Sequence, residues 1–237
     1  MFKSSRTSEM VRRIIRLSKD LKKIDFQNNA HVSSFPIDSF DITNQLRHLD
    51  LSDCTKLKRL PKSFSTTCLC LQYLALRGCQ NLSFAPDFLG EISTLEYVDF
   101  SGCSKLIHLP RGMANQRSLR CLDLRGTNLV HLPENLELLD KLEELRIGSP
   151  DLKALTNLSS LVNLKILKIF NCEELETVNV EGLKQLEEIQ ANSCHKLQRI
   201  GALSQLERLN CLELQIYNEN GVICNDILQL LVSICLK

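Results

Sequence analysis

Apolar residues recur along the chain in a pattern that fits neither a single helix nor a single strand. In the segment 95–110 the apolar positions are Leu95, Val98, Phe100, Cys103, Leu106 and Leu109. The central V-D-F alternates like a short strand with one buried face, and the S-G-C after it is typical of a turn. The closing L-P ends the unit, because proline cannot donate a ladder hydrogen bond. Each such segment therefore predicts one strand, a turn and a return segment.

The pattern occurs nine times, at steps of 22 to 25 residues. The copies begin at Leu21, Leu46, Leu71, Leu95, Leu119, Leu142, Leu164, Leu186 and Leu209. A pattern L-x-x-L-x-L-x-x-N/C-x-x-L with a period in the twenties is typical of the leucine-rich repeat. One unit cannot bury its apolar face alone, so units must stack. The sequence predicts an α/β solenoid, a horseshoe with a curved parallel β-sheet on its concave face and short helical or irregular convex segments.

The repeats divide the chain into three parts. Residues 21–216 are predicted to form the repeats, and residues 217–237 a C-terminal cap that contains the apolar run D-I-L-Q-L-L-V-S-I-C. Residues 1–20 place apolar side chains at helical spacing beside arginines. This segment is interpreted as an N-terminal capping helix, a truncated helix of a longer parent, or an organelle presequence.

Charge and hydropathy exclude some classes of function. The net charge of +1 argues against a dedicated nucleic-acid binder. No apolar run approaches the length of a transmembrane helix, and the N-terminus lacks the apolar core of a secretory signal, so no membrane association is expected. Basic residues concentrate in 1–24 and acidic residues in 134–213. This asymmetry biases partner choice and association rate more than fold.

The eleven cysteines do not suggest a disulfide framework. Their number is odd and no C-x-x-C occurs. Five of them occupy the inward N/C position of the repeat: Cys54, Cys79, Cys103, Cys172 and Cys194. At that position a cysteine behaves as a small buried hydrophobe. The expected compartment is therefore reducing and cytoplasmic.

Few residues point to catalysis or metal binding. The histidines are scattered without metal-ligand spacing, and no G-x-S-x-G is present. His108 and His131 share one repeat position and should lie on adjacent coils, but two ligands rarely hold a metal. Cys121 is the candidate thiol, and the strand alignment places Glu144 beside it, which would raise its pKa. We expect no enzyme activity, no catalytic or metal site and no cofactor.

The residues between the strand leucines should face the concave surface. There Tyr73 and Tyr97 are predicted to lie side by side, flanked by Arg77 and Arg125, and tyrosine and arginine are enriched at interface hot spots. For the aspartates on the same face, a structural role in keeping the sheet soluble is favoured over a contact role. The predicted protein-binding residues are Tyr73, Arg77, Tyr97, Asp99, Asp123, Arg125, Arg146, Lys168 and Phe170. A rival location is the acidic later repeats, around Glu144, Lys168, Phe170 and Glu188.

Three segments carry a family resemblance. They are L-R-H-L-D-L-S-D-C-T-K-L-K-R-L-P from Leu46, L-E-Y-V-D-F-S-G-C-S-K-L-I-H-L-P from Leu95, and L-R-C-L-D-L-R-G-T-N-L-V-H-L-P from Leu119. They resemble the repeats of plant intracellular nucleotide-binding leucine-rich-repeat disease-resistance receptors, most closely those with an N-terminal TIR domain. The resemblance covers residues 21–215, and S-G-C-S-K-L and R-G-T are its specific phrases. It implies recognition of a pathogen effector or host protein in innate immune signalling, and restraint of the nucleotide-binding domain of a parent receptor.

The chain departs from these receptors in one large respect. It contains no G-x-x-x-x-G-K-[ST] phosphate loop and no room for a TIR domain, so ATPase and NADase activities are not carried over. We expect either a fragment of a larger receptor or a stand-alone, monomeric repeat protein. The alternative function is the substrate-recognition part of a ubiquitin ligase, as in F-box proteins with cysteine-type repeats. That alternative is weaker, because the 20 residues ahead of the repeats cannot hold an F-box and L-P pairs are foreign to those repeats.

Overall fold

The computed structural model describes residues 20–30, 32, 45–60, 64, 68–132, 136–156 and 158–215, without the side chains of 87, 88, 114 and 137. Residues 1–19 of the predicted N-terminal segment and all of the predicted C-terminal cap lie outside the described residues. Within the described part, no helix has the length and apolar character needed to cross a membrane.

The described residues form twelve β-strands. They are Lys23–Asp25 (β1), His48–Asp50 (β2), Tyr73–Ala75 (β3), Tyr97–Asp99 (β4), Cys121–Arg125 (β5), Glu144–Gly148 (β6), Ala154–Leu155 (β7), Ile166–Phe170 (β8), Thr177–Asn179 (β9), Glu188–Asn192 (β10), Arg199–Gly201 (β11) and Cys211–Gln215 (β12).

Nine of these strands build one parallel sheet in the order β1-β2-β3-β4-β5-β6-β8-β10-β12. Each of the nine begins two residues after the leading leucine of its repeat. One coil therefore contributes one strand, and the next coil adds the neighbouring strand in parallel register, for example Val98 opposite Leu122. The predicted parallel sheet and solenoid are confirmed.

The return segments differ between the earlier and later coils. The earlier ones contain short 3-10 helices at Asp87–Gly90, Arg111–Asn115 and Leu136–Leu138, and a further one lies at Leu203–Gln205. In the later coils β7, β9 and β11 form a second parallel sheet, so the prediction of only helical or irregular return segments is wrong there. The reason is local. Asn179 and Gly201 stand where the earlier coils carry the proline of L-P, and unlike proline both retain an N–H.

Each coil depends on the next for its backbone hydrogen bonds. The N–H of Phe100 donates to the carbonyl oxygen of Asp123 at 2.8 Å, and the N–H of Leu76 donates to that of Asp99 at 2.8 Å. Inside the coils, the strand leucines form continuous buried rows with Phe64 and Phe100, whose side chains are fully buried. The core is therefore one uninterrupted column that runs through all the described coils.

A left-handed residue turns the chain inward after most strands of the main sheet. Asp53, Gly78 and Gly102 occupy this position with φ of 59°, 68° and 71°. Glycine adopts a φ of 68° without the strain that a side chain at position 78 would meet. The sharp turn aims the next residue, the predicted N/C position, into the core.

The inward cysteines connect neighbouring coils. The thiols of Cys54, Cys79 and Cys103 donate to carbonyl oxygens of the preceding coil at 3.3, 3.2 and 3.1 Å. All three side chains are fully buried, which confirms their predicted inward placement. Burial raises the pKa of Cys103 to about 12, so its thiol stays protonated and keeps its donor at neutral pH.

Removing core volume from a central coil should destabilise the whole array. Phe100→Ala should cost about 3–5 kcal/mol of unfolding free energy, because the side chain is fully buried and its coil cannot collapse independently. Urea unfolding followed by circular dichroism measures this loss as one cooperative transition. Glu91→Ala, an exposed change in the preceding repeat, should stay within about 0.5 kcal/mol. Equal losses would contradict the inward placement of Phe100.

Candidate functional site on the concave sheet

The strand register brings the predicted surface residues into columns. The first residue of each strand in the nine-stranded sheet faces the first residue of the next, so His48, Tyr73, Tyr97 and Cys121 are successive neighbours. The third residues form a second column that contains Asp50, Ala75, Asp99 and Asp123. Both columns lie where the repeat pattern predicts them.

Three rings stack across adjacent strands. The ring centroids of Tyr73 and Tyr97 are 4.5 Å apart with planes inclined by 4°, and those of His48 and Tyr73 are 4.1 Å apart at 6°. The two tyrosines are neighbours, as predicted. His48 is the member that sequence reasoning missed, although it stands in the same repeat column as Tyr73. We call His48, Tyr73 and Tyr97 the ring stack.

The ring stack is held uncharged. Burial, and then the charges of Asp50 and Asp99, raise the pKa of Tyr73. Burial, and then Asp99, raise that of Tyr97, whose hydroxyl lies 3.4 Å from Oδ2 of Asp99. Burial, and then the nearby Lys23, lower the pKa of His48. Neutral rings remain close together without mutual repulsion, so the stack is a rigid surface of half-buried side chains.

The aspartate column has an internal role. Asp99 is only 7% exposed, and its Oδ1 accepts the backbone N–H of Ser101 at 2.7 Å. Asp50 accepts the N–H of Ser52 at 2.9 Å in the same way. These carboxylates close the turn at the strand end. The expectation that they stand outward to keep the sheet soluble is therefore wrong, because each is drawn down onto the backbone.

Beyond β4 the concave face becomes a network of ion pairs. Asp123 is fully buried and accepts hydrogen bonds from Arg125 at 2.7 Å and from Arg146 at 3.2 Å. Arg146 also pairs with Glu144 at 2.7 Å, and Lys168 pairs with Glu188 at 3.1 Å. Arg125, Arg146 and Lys168 are thus already paired with carboxylates of the chain.

The structure separates the two arginines predicted to flank the tyrosines. Arg125 is held by Asp123, and its guanidinium carbon lies 5.6 Å from the ring centroid of Phe170. It belongs with the later repeats and not with the ring stack. Arg77, at the end of β3, is exposed, and its side chain has no ion pair or hydrogen bond with any described residue. Arg77 is therefore an exposed cation at a concave position of the same coil as Tyr73, and no described residue pairs with it.

The candidate residues for catalysis or metal binding lie as predicted. Sγ of Cys121 is 3.7 Å from Oε2 of Glu144. Burial first, and Glu144 second, raise the pKa of this thiol to about 12, which leaves it unreactive at neutral pH. His108 and His131 are neighbours on adjacent coils, with ring centroids 6.0 Å apart. Among the described residues, no group of three or more side chains could hold a metal ion.

Comparison with known proteins identifies the repeat and the fold. A Leucine Rich Repeat model matches residues 45–67, and no curated relative matches the sequence. The structure is similar to a leucine-rich-repeat protein of Leptospira interrogans, with 20% identity, a TM-score of 0.62 and coverage of 92% of this chain. This chain spans 60% of the length of that protein.

Two further solved structures share the architecture. The leucine-rich repeat domain of the type III effector XopL is 18% identical with a TM-score of 0.67, over 88% of this chain and 82% of that one. Internalin C2 of Listeria monocytogenes is 20% identical with a TM-score of 0.60, over 84% of this chain and 83% of that one. The chain thus has a leucine-rich-repeat solenoid, a fold that generally serves as a scaffold for protein–protein interaction.

Removing the carboxylate of Asp99 should weaken the fold. Asp99→Ala leaves the buried N–H of Ser101 without its acceptor, and should cost about 1–3 kcal/mol of unfolding free energy. Asp99→Asn keeps an acceptor oxygen and should lose less. Urea unfolding of the two variants measures the difference. An unchanged Asp99→Ala variant would show that the carboxylate faces solvent after all.

The raised pKa values of the stacked tyrosines predict a late titration. A tyrosine in an unfolded chain ionises near pH 10, so stability from the neutral rings is complete below that pH and is lost as pH rises through the folded values. Tyrosinate absorbance at 295 nm should rise near pH 10 for all three tyrosines in urea. In the folded protein the absorbance of Tyr73 and Tyr97 should appear only above that pH. A Tyr73→Phe/Tyr97→Phe variant should lack this late component, and its persistence would contradict the assignment.

Proposed function

We propose that this chain is a protein-recognition scaffold whose concave sheet binds a partner protein at the ring stack and Arg77. The observation that carries the proposal is the parallel stack of three rings on adjacent strands, with centroids 4.1 and 4.5 Å apart. Tyrosine supplies large contact area at low entropic cost, and its hydroxyl adds a polar contact. Here the side chains have already lost most of that conformational entropy in the free protein, because neighbouring strands fix the rings.

Electrostatics favour the same half of the sheet. Arg77 follows β3 and offers a guanidinium that no described residue pairs with, and a fixed fork of donors suits carboxylates and carbonyl oxygens of a partner. In the later repeats, a partner would have to compete with Asp123, Glu144 and Glu188 for cations that they already bind. Contacts there would replace existing ion pairs and gain little affinity.

The biological setting follows from the sequence resemblance. The phrases S-G-C-S-K-L and R-G-T support a role in plant innate immunity, in the cytoplasm, as in TIR-type disease-resistance receptors. The partner would then be a pathogen effector, a host protein or the nucleotide-binding domain of a parent receptor. The buried thiols, which donate hydrogen bonds across coils, are consistent with a reducing compartment.

A capture experiment with paired variants tests the location. Immobilised wild-type chain is incubated with an extract of pathogen-challenged leaf tissue, and bound proteins are identified by mass spectrometry. Tyr73→Ala/Tyr97→Ala should abolish specific capture, with partner affinity reduced at least about tenfold. Lys168→Glu/Phe170→Ala should retain capture, because that region is paired internally. The proteins captured also distinguish immune components from subunits of a ubiquitin ligase.

Folding controls accompany each variant. Cooperative urea unfolding must be retained, and Val162→Ala, an exposed apolar change with 51% of the residue exposed, serves as the neutral control. Loss of capture by the Lys168→Glu/Phe170→Ala variant alone would move the site to the later repeats. If both double variants still captured the partner, recognition through the concave sheet would be overturned.

A further inference from the structure

Three exposed apolar side chains lie outside the concave sheet, on the return segments of three successive coils. Phe84 is 72% exposed, Ile107 44% and Val130 43%. Leu69 and Val162 are the other large hydrophobic residues exposed in the described part, and their repeat position differs from the positions of these three. Contiguous exposed apolar side chains of this kind usually mark a binding surface.

The repeat pattern gives this cluster its geometry. Leu57, Leu82, Leu106 and Leu129 are buried at one position of consecutive coils. The residues that follow each of them form two outward rows. The first row is Lys58, Ser83, Ile107 and Val130, and the second is Arg59, Phe84, His108 and His131. We call these eight residues the flank. The 6.0 Å separation of the His108 and His131 rings shows that the second row is in register.

The flank is rigid before any partner arrives. The amide of Asn81 donates to the carbonyl oxygen of Thr55 at 2.6 Å and accepts from Nζ of Lys105 at 2.6 Å, which ties three coils together beside the rows. The N–H of Asn128 donates to the carbonyl oxygen of Leu106 at 3.0 Å and joins the fourth coil. Little conformational entropy would be lost when a ligand covers this surface.

The charged side chains within the two rows have one sign. Lys58 and Arg59 continue the rows on the coil next to Phe84. Both are exposed, and neither forms an ion pair or side-chain hydrogen bond with a residue in the described ranges. The flank itself contains no carboxylate. Its electrostatic complement is therefore an acidic group placed next to apolar side chains.

We propose that the flank is a second docking surface, distinct from the concave site, and that it binds an acidic amphipathic segment of a partner protein. Apolar side chains of the segment would cover Phe84, Ile107 and Val130, and its carboxylates would meet Lys58 and Arg59. A membrane fits less well. Two cations at about 1 kcal/mol each give only weak attachment to anionic lipid.

Selection from a peptide library tests the proposal. A phage-displayed library of 16-residue peptides is selected on the folded wild-type chain, with counter-selection on a Phe84→Ser/Arg59→Glu variant. The enriched peptides should carry net negative charge and at least two large apolar residues. A synthetic copy of one such peptide should bind the variant at least about tenfold more weakly than the wild type by fluorescence anisotropy.

Matched controls separate the flank from other surfaces. Val162→Ser and Lys153→Glu change exposed residues of the same kinds elsewhere and should leave the anisotropy unchanged, as should Tyr73→Ala/Tyr97→Ala. The proposal would be overturned by selected peptides that are neutral or basic. It would also be overturned by peptides that bind the Phe84→Ser/Arg59→Glu variant as tightly as the wild type. Two further results would overturn it. One is binding of the wild type to phosphatidylserine vesicles that the Phe84→Ser/Arg59→Glu variant loses, and the other is a concentration-dependent dimer that Phe84→Ser abolishes. If the capture experiment on the concave sheet failed but the peptides still bound the flank, the flank proposal would stand.

Discussion

The exchange of backbone hydrogen bonds between neighbouring coils is the constraint on which the rest of this structure depends. No described strand in the main sheet pairs with another strand of its own repeat, so the backbone N–H and carbonyl groups of each strand bond to the neighbouring coils. The leucine rows, the inward thiols and the left-handed turns all keep successive coils at the same spacing. If that spacing changed at one coil, its neighbours would lose both hydrogen bonds and core contacts.

This regular spacing also gives the concave sheet its two chemically different halves. Side chains at equivalent repeat positions are brought to the separation of paired strands, about 4.8 Å. Flat rings at that distance stack, as His48, Tyr73 and Tyr97 do, and opposite charges pair, as Asp123 and Arg146 do. Hence a single sheet has an aromatic half and an ionic half. The boundary falls at β5, where arginine first joins the aspartates.

Much of this architecture follows from sequence, because the repeat pattern fixes both the strand and the inward positions. The nine main strands, the Tyr73–Tyr97 contact, the buried cysteines and the Cys121–Glu144 contact were all predictable from alignment of the repeats. The orientation of long polar side chains was not. From the sequence, the Arg125 side chain could point toward the tyrosines or toward Phe170. Its hydrogen bond to the fully buried Asp123 holds it over Phe170. The second sheet was missed because its signal is the absence of proline, which leaves an N–H free without predicting where it donates.

The turn-closing aspartates set a limit on how this surface can diversify. A recognition protein must change its contact residues as its partners change, yet Asp50, Asp99 and Asp123 each hold the backbone of the strand end. Substitution at these positions would alter the backbone of the strand end together with the contact surface. Variation is therefore tolerated mainly at the first strand position and just past the turn-closing aspartate, the columns of Tyr73 and Arg77. Each coil thus offers about two adjustable positions, and a new specificity must be assembled across several coils at once.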